Sequence, residues 1–207
     1  MNQPRSLNIV IAGVGGQGNV VASEILASAL SRHGYRVSVG ETFGASQRGG
    51  SVMSHVRAAR DTHPGPLIPK GLVDVIVGFE PLETLRILSD YGRETTRVVV
   101  NPRPVYPLAV QVGEATYPDP AELIATIHHL AADVLVIEST ELARQAGDVR
   151  AQNLAILGAL AGSGWLPIEP AGVEAILAER FLDDVLRLNR AAFRLGLEAA
   201  RALVTSR

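Results

Sequence analysis

Residues 8–32 read NIVIAGVGGQGNVVASEILASALSR, which is a short apolar run, a glycine-rich hexapeptide and an amphipathic stretch. The apolar run at residues 8–12 is typical of a buried β-strand, and apolar side chains recur at helical spacing over residues 19–32. Glycines allow a sharp turn between the two because they lack a Cβ atom. The segment therefore predicts a Rossmann-like strand-turn-helix unit, whose loop amides and positive helix end suit a phosphate.

The whole chain has the composition of a folded protein. Its 207 residues are 47% hydrophobic and 19% charged, which suits one α/β domain and is too little for two ordinary ones. The formal net charge of -2 gives no bulk attraction to nucleic acid or to an anionic membrane. No apolar run reaches the length of a membrane span, and residues 1–6 carry no secretion signal, so we expect a cytoplasmic protein.

Metal chemistry is disfavoured by the residue types present. The sequence contains no cysteine, and cysteine thiolates are the ordinary ligands of iron-sulfur clusters. The five histidines show no zinc-type spacing. We therefore expect neither a cluster nor another metal site in this chain.

Strand and helix patterns alternate through the first two thirds of the chain. After the first unit, the pattern predicts strands at residues 35–41, 51–59, 72–78, 96–100 and 133–137, and helices beginning at Pro81 and Pro120. The connection at residues 42–50 is too short for a parallel crossover, so the second and third strands would pair antiparallel. Glu80, Asn101 and Glu138 each follow a buried strand, at the sheet edge where α/β proteins bind ligands.

From Thr140 onward the pattern is helical, over residues 153–161, 170–180 and 184–204. The predicted fold class is α/β, with a Rossmann-like, mostly parallel sheet, helices on both faces, one antiparallel hairpin strand and a C-terminal helical appendage. We expect a single domain over residues 1–207, with a core at 1–140 and a helical extension at 141–207.

The hairpin connection is the most unusual stretch, and residues 41–52 read ETFGASQRGGSV. It is not the nucleophile elbow of a hydrolase, because Arg48 replaces the second glycine and a strand follows. If the second strand runs parallel to the first, this loop lies on the same sheet edge as the glycine turn. Two interpretations stay open: the glycines only bend a hairpin, or the two loops form one site.

Other functions fit parts of the pattern. Glu41 stands near the position of the ribose-binding acid in an NAD-dependent dehydrogenase. A nonenzymatic nucleotide-binding or scaffold domain is a further alternative. No residue stands out as catalytic: His55 shares a predicted strand face with Arg57, where packing is favoured over proton transfer.

Five segments, in order along nearly the whole chain, carry a family resemblance. They are GVGGQG at 13–18, SQRGGSV at 46–52 followed by SHVR at 54–57, DVIVGFEPLETLR at 74–86, NLAILGALA at 153–161 and NRAAFRLG at 189–196. Together they resemble the gamma-domain family of the pyruvate, 2-ketoisovalerate and indolepyruvate ferredoxin oxidoreductases, most closely the indolepyruvate type. The combination of the glycine loop with SQRGG is specific, whereas each piece alone is not.

The resemblance implies an enzyme subunit that is not active alone. The complete oxidoreductase would convert an aryl 2-oxoacid and coenzyme A to an acyl-CoA and carbon dioxide, and would pass electrons to ferredoxin. Thiamine diphosphate and iron-sulfur clusters would belong to a large partner subunit, and this chain alone would bind no cofactor tightly. The lack of cysteine, and of a GDG sequence that begins a thiamine diphosphate motif, agrees independently.

A binding site shared by the two loops follows from these arguments. Its predicted residues are Gly13, Gly15, Gly16, Gln17, Gly18, Ser46, Gln47, Arg48, Gly49 and Gly50. Arg48 would grip an anion through two parallel hydrogen bonds, either a phosphate of coenzyme A or a carboxylate of the partner. The expected partners are the large subunit and, through the complex, ferredoxin, with no nucleic acid and no membrane.

Overall fold

The computed structural model describes residues 5–43, 50–106 and 108–206. Within these ranges a six-stranded sheet has the order β2-β3-β1-β4-β5-β6. The strands are β1 (Ser6–Val14), β2 (Arg36–Phe43), β3 (Ser51–Ala59), β4 (Val75–Gly78), β5 (Arg97–Val100) and β6 (Asp133–Val136). The helices are α1 (Asn19–Arg32), α2 (Pro81–Tyr91), α3 (Leu108–Gln111), α4 (Pro120–Leu130), α5 (Ser139–Ala146), α6 (Gln152–Gly162), α7 (Pro170–Arg180) and α8 (Asp183–Thr205), with a 3-10 turn at Val149–Ala151 before α6.

The strand directions confirm the predicted α/β fold with one antiparallel strand. β3 is antiparallel to both β1 and β2, whereas β1, β4, β5 and β6 run parallel. The sequence did not reveal that β3 lies between β1 and β2. As a consequence β2 runs parallel to β1 one strand away, and both strands end at the same sheet edge as the first residues of β3.

Each face of the sheet is covered differently. On one face, α1 and the helices after Thr140 share a single core with the sheet, in which Ile9, Ile11, Leu154 and Phe193 are buried. On the other face a smaller core joins the sheet to α2, α4 and Ile68, which belongs to the segment between β3 and β4. The predicted C-terminal helices therefore pack directly on the sheet.

The predicted element boundaries hold within a few residues, with one clear difference. The strand predicted at residues 72–78 begins only at Val75. Asp74 N–H still donates to the carbonyl of Asn8 in β1, whereas Val73 N–H turns away from the sheet and donates to the Tyr91 carbonyl of α2. Pro81 and Pro120 start their helices as predicted, and Asp119 caps α4 by accepting from the amide of Ala121. No helix of the described residues is long and apolar enough to cross a bilayer.

Candidate functional site

The glycine turn joins β1 to α1 as the sequence predicts. Gly16 and Gly18 have φ angles of 100° and 87°, a left-handed conformation that favours glycine. Gly18 is also confined, since a Cβ atom there would lie 2.6 Å from Asn153 Nδ2. Gly13 is a packing glycine, because its Cβ would lie 2.7 Å from Gln17 Oε1.

Gln17 turns inward and braces the loop. Its Oε1 accepts a hydrogen bond from Val14 N–H at 2.7 Å, and its Nε2 donates to the Phe79 carbonyl at 3.2 Å. The side chain is nearly buried and ties the end of β1 to the residue after β4. The Gln17 side chain therefore stabilises the turn through its buried hydrogen bonds, and Gln17 also contributes to the lining of a cleft at this edge of the sheet.

The hairpin meets the glycine turn at Gly50. Gly15 N–H donates to the Gly50 carbonyl at 2.9 Å, and Ser51 pairs with Val14 in the sheet. The Gly15 amide is therefore engaged in holding the two loops together. The remaining hairpin residues of the predicted site, Ser46, Gln47, Arg48 and Gly49, lie outside the described residues, so the contact predicted for Arg48 stays a prediction.

Two asparagines that sequence reasoning did not select support the turn. Asn153, near the start of α6, donates from Nδ2 to the Gly18 carbonyl at 3.4 Å, and Asn19 donates to the Val52 carbonyl at 3.4 Å. Both side chains are buried. The NLAILGALA motif begins at Asn153 and could have drawn attention to this residue. The contact of Asn153 with Gly18, however, depends on the packing of α6 against the loop.

Glu41 is occupied by neighbouring hydroxyls. Its carboxylate accepts hydrogen bonds from Ser54 Oγ at 2.6 Å and from Ser23 Oγ at 3.1 Å. Strand β3 separates it from β1, whereas the ribose-binding acid of a dinucleotide-binding fold follows the strand adjacent to β1. This arrangement weighs against a role for Glu41 in binding NAD.

A cleft of about 290 Å³ opens at the carboxyl ends of the parallel strands, beside the glycine turn. Its lining consists of Gly16, Gln17, Asn101, Arg103, Val105, Thr140, Arg144, Val149, Arg150 and Gln152. Every charged residue of this lining is an arginine. The sequence placed Asn101 at this edge but did not identify the three arginines, because they come from two segments distant from each other in the chain.

A chain of hydrogen bonds runs through the floor of this cleft. The Phe79 carbonyl accepts from Gln17 Nε2 and from Asn101 Nδ2, each at 3.2 Å. Asn101 Nδ2 also donates to Thr140 Oγ1 at 3.0 Å, and that hydroxyl donates to Gln152 Oε1 at 2.9 Å. The glycine turn, β5 and the C-terminal helices are thereby linked beneath one opening.

Glu80 anchors a loop at the same edge. Its side chain is 1% exposed and caps α2 by accepting from the Glu83 amide, while its Oε2 accepts from Tyr117 Oη at 2.6 Å. Burial raises the pKa of Glu80, an effect that the Tyr117 hydrogen bond opposes. Tyr106 packs edge-on against Tyr117, with ring centroids 5.2 Å apart. The connection between β5 and α4 is therefore fastened to the start of α2.

His55 has the surroundings of a packing residue. Its Nδ1 accepts from Ile68 N–H at 3.3 Å, and its buried ring lies edge-on to Tyr91 at 5.8 Å. Burial and, secondarily, the charge of Arg57 lower the pKa of His55. Elsewhere in the described ranges, no group of three or more histidine, aspartate or glutamate side chains is placed to hold a metal ion.

Comparison with known proteins agrees with the fold and covers almost the full chain. The chain is 35% identical over 201 residues to the indolepyruvate oxidoreductase subunit IorB of Thermococcus kodakarensis, covering 97% of this chain and 98% of the relative. It is 38% identical over 194 residues to the subunit of the same name from Archaeoglobus fulgidus, covering 94% and 95%.

Among solved structures, the 2-oxoglutarate:ferredoxin oxidoreductase of Magnetococcus marinus, with 2-oxoglutarate, coenzyme A and succinyl-CoA bound, matches with a TM-score of 0.73 at 27% identity. That match covers 97% of this chain and 32% of the longer one. The family model for pyruvate ferredoxin/flavodoxin oxidoreductase matches residues 8–199. The chain therefore belongs to the pyruvate ferredoxin/flavodoxin oxidoreductase family.

Proposed function

We propose that this chain is the subunit without clusters of a thiamine diphosphate-dependent 2-oxoacid:ferredoxin oxidoreductase. The enzyme would convert a 2-oxoacid, coenzyme A and oxidised ferredoxin to an acyl-CoA, carbon dioxide and reduced ferredoxin, with indolepyruvate or another aryl 2-oxoacid as substrate. The observation that carries this proposal is the full-length similarity to archaeal indolepyruvate oxidoreductase subunits, together with family membership.

The redox centres belong to a partner in this proposal. With no cysteine in its sequence, the chain has none of the thiolates that ordinarily hold an iron-sulfur cluster. The residues present therefore do not fit a cluster, and we route no electron-transfer step through them. A large partner subunit would supply both the clusters and thiamine diphosphate, and this chain would be inactive by itself.

Coenzyme A is the ligand proposed for the shared edge. The edge combines the positive end of α1, the Gly15 to Gly50 hydrogen bond that joins the two loops, and a cleft lined by arginines. The related Magnetococcus marinus enzyme has coenzyme A bound in its structure. The glycine turn and the hairpin loop, with Arg48, would form this site, in which Arg48 would bind either a phosphate of coenzyme A or a carboxylate of the partner subunit.

The experiment that tests the function is co-expression of this chain with the large subunit gene of its own genome. We expect the purified complex to reduce ferredoxin with indolepyruvate and coenzyme A, whereas the isolated chain turns over no 2-oxoacid. Parallel assays with phenylpyruvate and 2-oxoglutarate would define the substrate class. The isolated chain should bind NAD no more tightly than about millimolar, about -4 kcal/mol.

Two outcomes would contradict this proposal. The first is 2-oxoacid oxidation by the isolated chain. The second is micromolar NAD binding that Glu41→Ala abolishes, because it would assign Glu41 to a ribose and support a dehydrogenase. A complex that forms but reduces ferredoxin with none of the aryl 2-oxoacids would exclude the proposed substrate class.

A further inference from the structure

We propose that the start of α8, residues 182–188, is a docking surface for the large partner subunit of the proposed enzyme. This α8 tip would enter an apolar recess of that subunit with basic side chains at its rim. The inference rests on the proposed function for the identity of the partner. The exposed apolar surface itself is a property of this chain.

The apolar stripe of α8 continues beyond the part of the core that covers it. Buried residues of this helix recur at helical spacing, as Asn189, Phe193, Gly196 and Ala200. The same spacing, extended towards the start of the helix, reaches Val185 and Leu182, which are 53% and 75% exposed. Among the large apolar side chains of the described residues, that of Leu182 is the most exposed. The stripe is therefore covered along its length by the core and is bare at the tip.

The local structure at the start of α8 does not account for Leu182. This residue occupies the N-cap position and provides no side-chain hydrogen bond to the helix. Serine, threonine, aspartate and asparagine are the usual N-cap residues, because their side-chain oxygens accept from the first free amides. The next residue, Asp183, has a φ of 48°, which is uncommon for a residue other than glycine. Leucine at this position breaks a local rule without benefit to the isolated chain, which is typical of a functional position.

The α8 tip lies at the sheet edge that carries the cleft. Leu188 packs beside Gly147, where an added Cβ atom would lie 3.6 Å from Leu188 Cδ1. Two residues after Gly147, Val149 is 41% exposed and lines the cleft. Val149 and Val185 therefore flank this contact on the same edge of the sheet. Grouped apolar exposure marks an interaction surface, whereas single exposed apolar residues are ordinary.

This position favours the large subunit as the occupant. In the proposed enzyme, thiamine diphosphate and the clusters belong to that subunit, and coenzyme A is the ligand proposed for this edge. Coenzyme A held here can react only where the large subunit reaches the same edge. The tip stands beside the cleft and would be covered in the same contact.

The charges of the tip disfavour a second copy of this chain as the occupant. Asp183 and Asp184 are both exposed, and Asp184 pairs with the exposed Arg187 at 3.1 Å. A two-fold contact between two tips would bring the aspartates of both copies together, and like charges across an interface repel. Basic side chains around an apolar recess would complement these carboxylates instead.

Competitive assembly tests the proposal. The wild-type chain and a variant, one of them carrying a size tag, are co-expressed with a limiting amount of the affinity-tagged large subunit of the same genome. The variants are Leu182→Ser and Val185→Ser. Leu203→Ser is the matched control, because Leu203 is a 40% exposed leucine on the same helix, about 30 Å from the tip. We expect each tip variant to be captured about tenfold less than the wild type, and the control within about twofold of it.

Thermal unfolding of the isolated variants separates docking from folding. Serine is a good N-cap residue, so Leu182→Ser should leave the melting temperature of the isolated chain unchanged or raise it. Reduced capture together with a lower melting temperature would assign Leu182 to the fold and overturn its docking role.

Further outcomes distinguish this inference from the proposed function. Tip variants captured like the wild type, in a complex that still reduces ferredoxin, would overturn the docking surface and leave the function intact. A wild-type chain that does not bind the large subunit would contradict both. An isolated wild-type dimer that Leu182→Ser converts to a monomer would assign the tip to a second copy and overturn the choice of partner. Reduced capture of the tip variants, in a complex that oxidises no aryl 2-oxoacid, would support the docking surface and contradict only the substrate class.

Discussion

The crossing of α6 and α8 supplies the sharpest prediction of stability. The two backbones touch at glycines: a Cβ atom on Gly158 would lie 1.9 Å from the Phe193 carbonyl oxygen, and one on Gly196 would lie 1.8 Å from that of Ala155. Real Cβ atoms are essentially never found within 3.0 Å of another heavy atom, so Gly158→Ala must push the helices apart by about 1 Å. The obstacle is backbone, which cannot rotate away.

The expected magnitude follows from two opposing effects. Overpacking a well-packed core costs about 1–3 kcal/mol, and more where the backbone itself must shift. Alanine recovers up to about 1 kcal/mol over glycine through its higher helix propensity. Because the obstacle here is backbone, we take a cost of about 3–4 kcal/mol, and Gly158→Ala should therefore lower the free energy of unfolding by a net of about 2–3 kcal/mol. The glycine turn should also loosen, because Asn153 on the same helix holds Gly18.

Urea unfolding followed by circular dichroism measures this change, with Gly172→Ala as the matched control. Gly172 lies on α7, and a Cβ atom there would meet nothing within 4 Å. The control should be neutral or should stabilise the chain by up to about 1 kcal/mol. If Gly158→Ala unfolds within about 0.5 kcal/mol of the wild type, the close crossing is not the reason for glycine at this position.

Two further predictions concern buried polar groups. Because the pKa of His55 is lowered from 6.5 by burial and by Arg57, the unfolded chain binds the proton more readily. The contribution of His55 to the free energy of unfolding should therefore be fully present above about pH 6.5 and should be lost as the pH drops towards the folded pKa. Unfolding free energies of the wild type and of His55→Asn between pH 5 and 8 measure this contribution. A wild type that gains stability on acidification relative to the variant would contradict the prediction. Tyr117→Phe removes the hydroxyl that donates to Glu80 and should lower the free energy of unfolding in urea by about 1.5–3 kcal/mol. The control Tyr106→Phe keeps the contact between the two rings and should lower it by less than about 0.5 kcal/mol. Equal losses in the two variants would refute the anchoring role of the Tyr117 hydroxyl.

Local sequence determined the strand-turn-helix unit at the start of the fold and the antiparallel direction of β3 relative to β2. Residues 8–32 place an apolar run, glycines and a helical period next to one another, so strand, turn and helix follow from short-range sterics. The nine residues at 42–50 are too few for a crossover, which makes β3 antiparallel. The absence of cysteine is likewise read directly from the chain.

Only the tertiary structure decided the order of the strands and the contacts that depend on it. Periodicity indicates that a strand exists but does not name its neighbours, so the insertion of β3 between β1 and β2 was not predictable from it. That insertion brings Gly50 to Gly15 and separates Glu41 from β1. The contact between Asn153 and Gly18 joins residues far apart in sequence, and Arg103 and Arg150 line one cleft, because packing of the shared core brings their segments together.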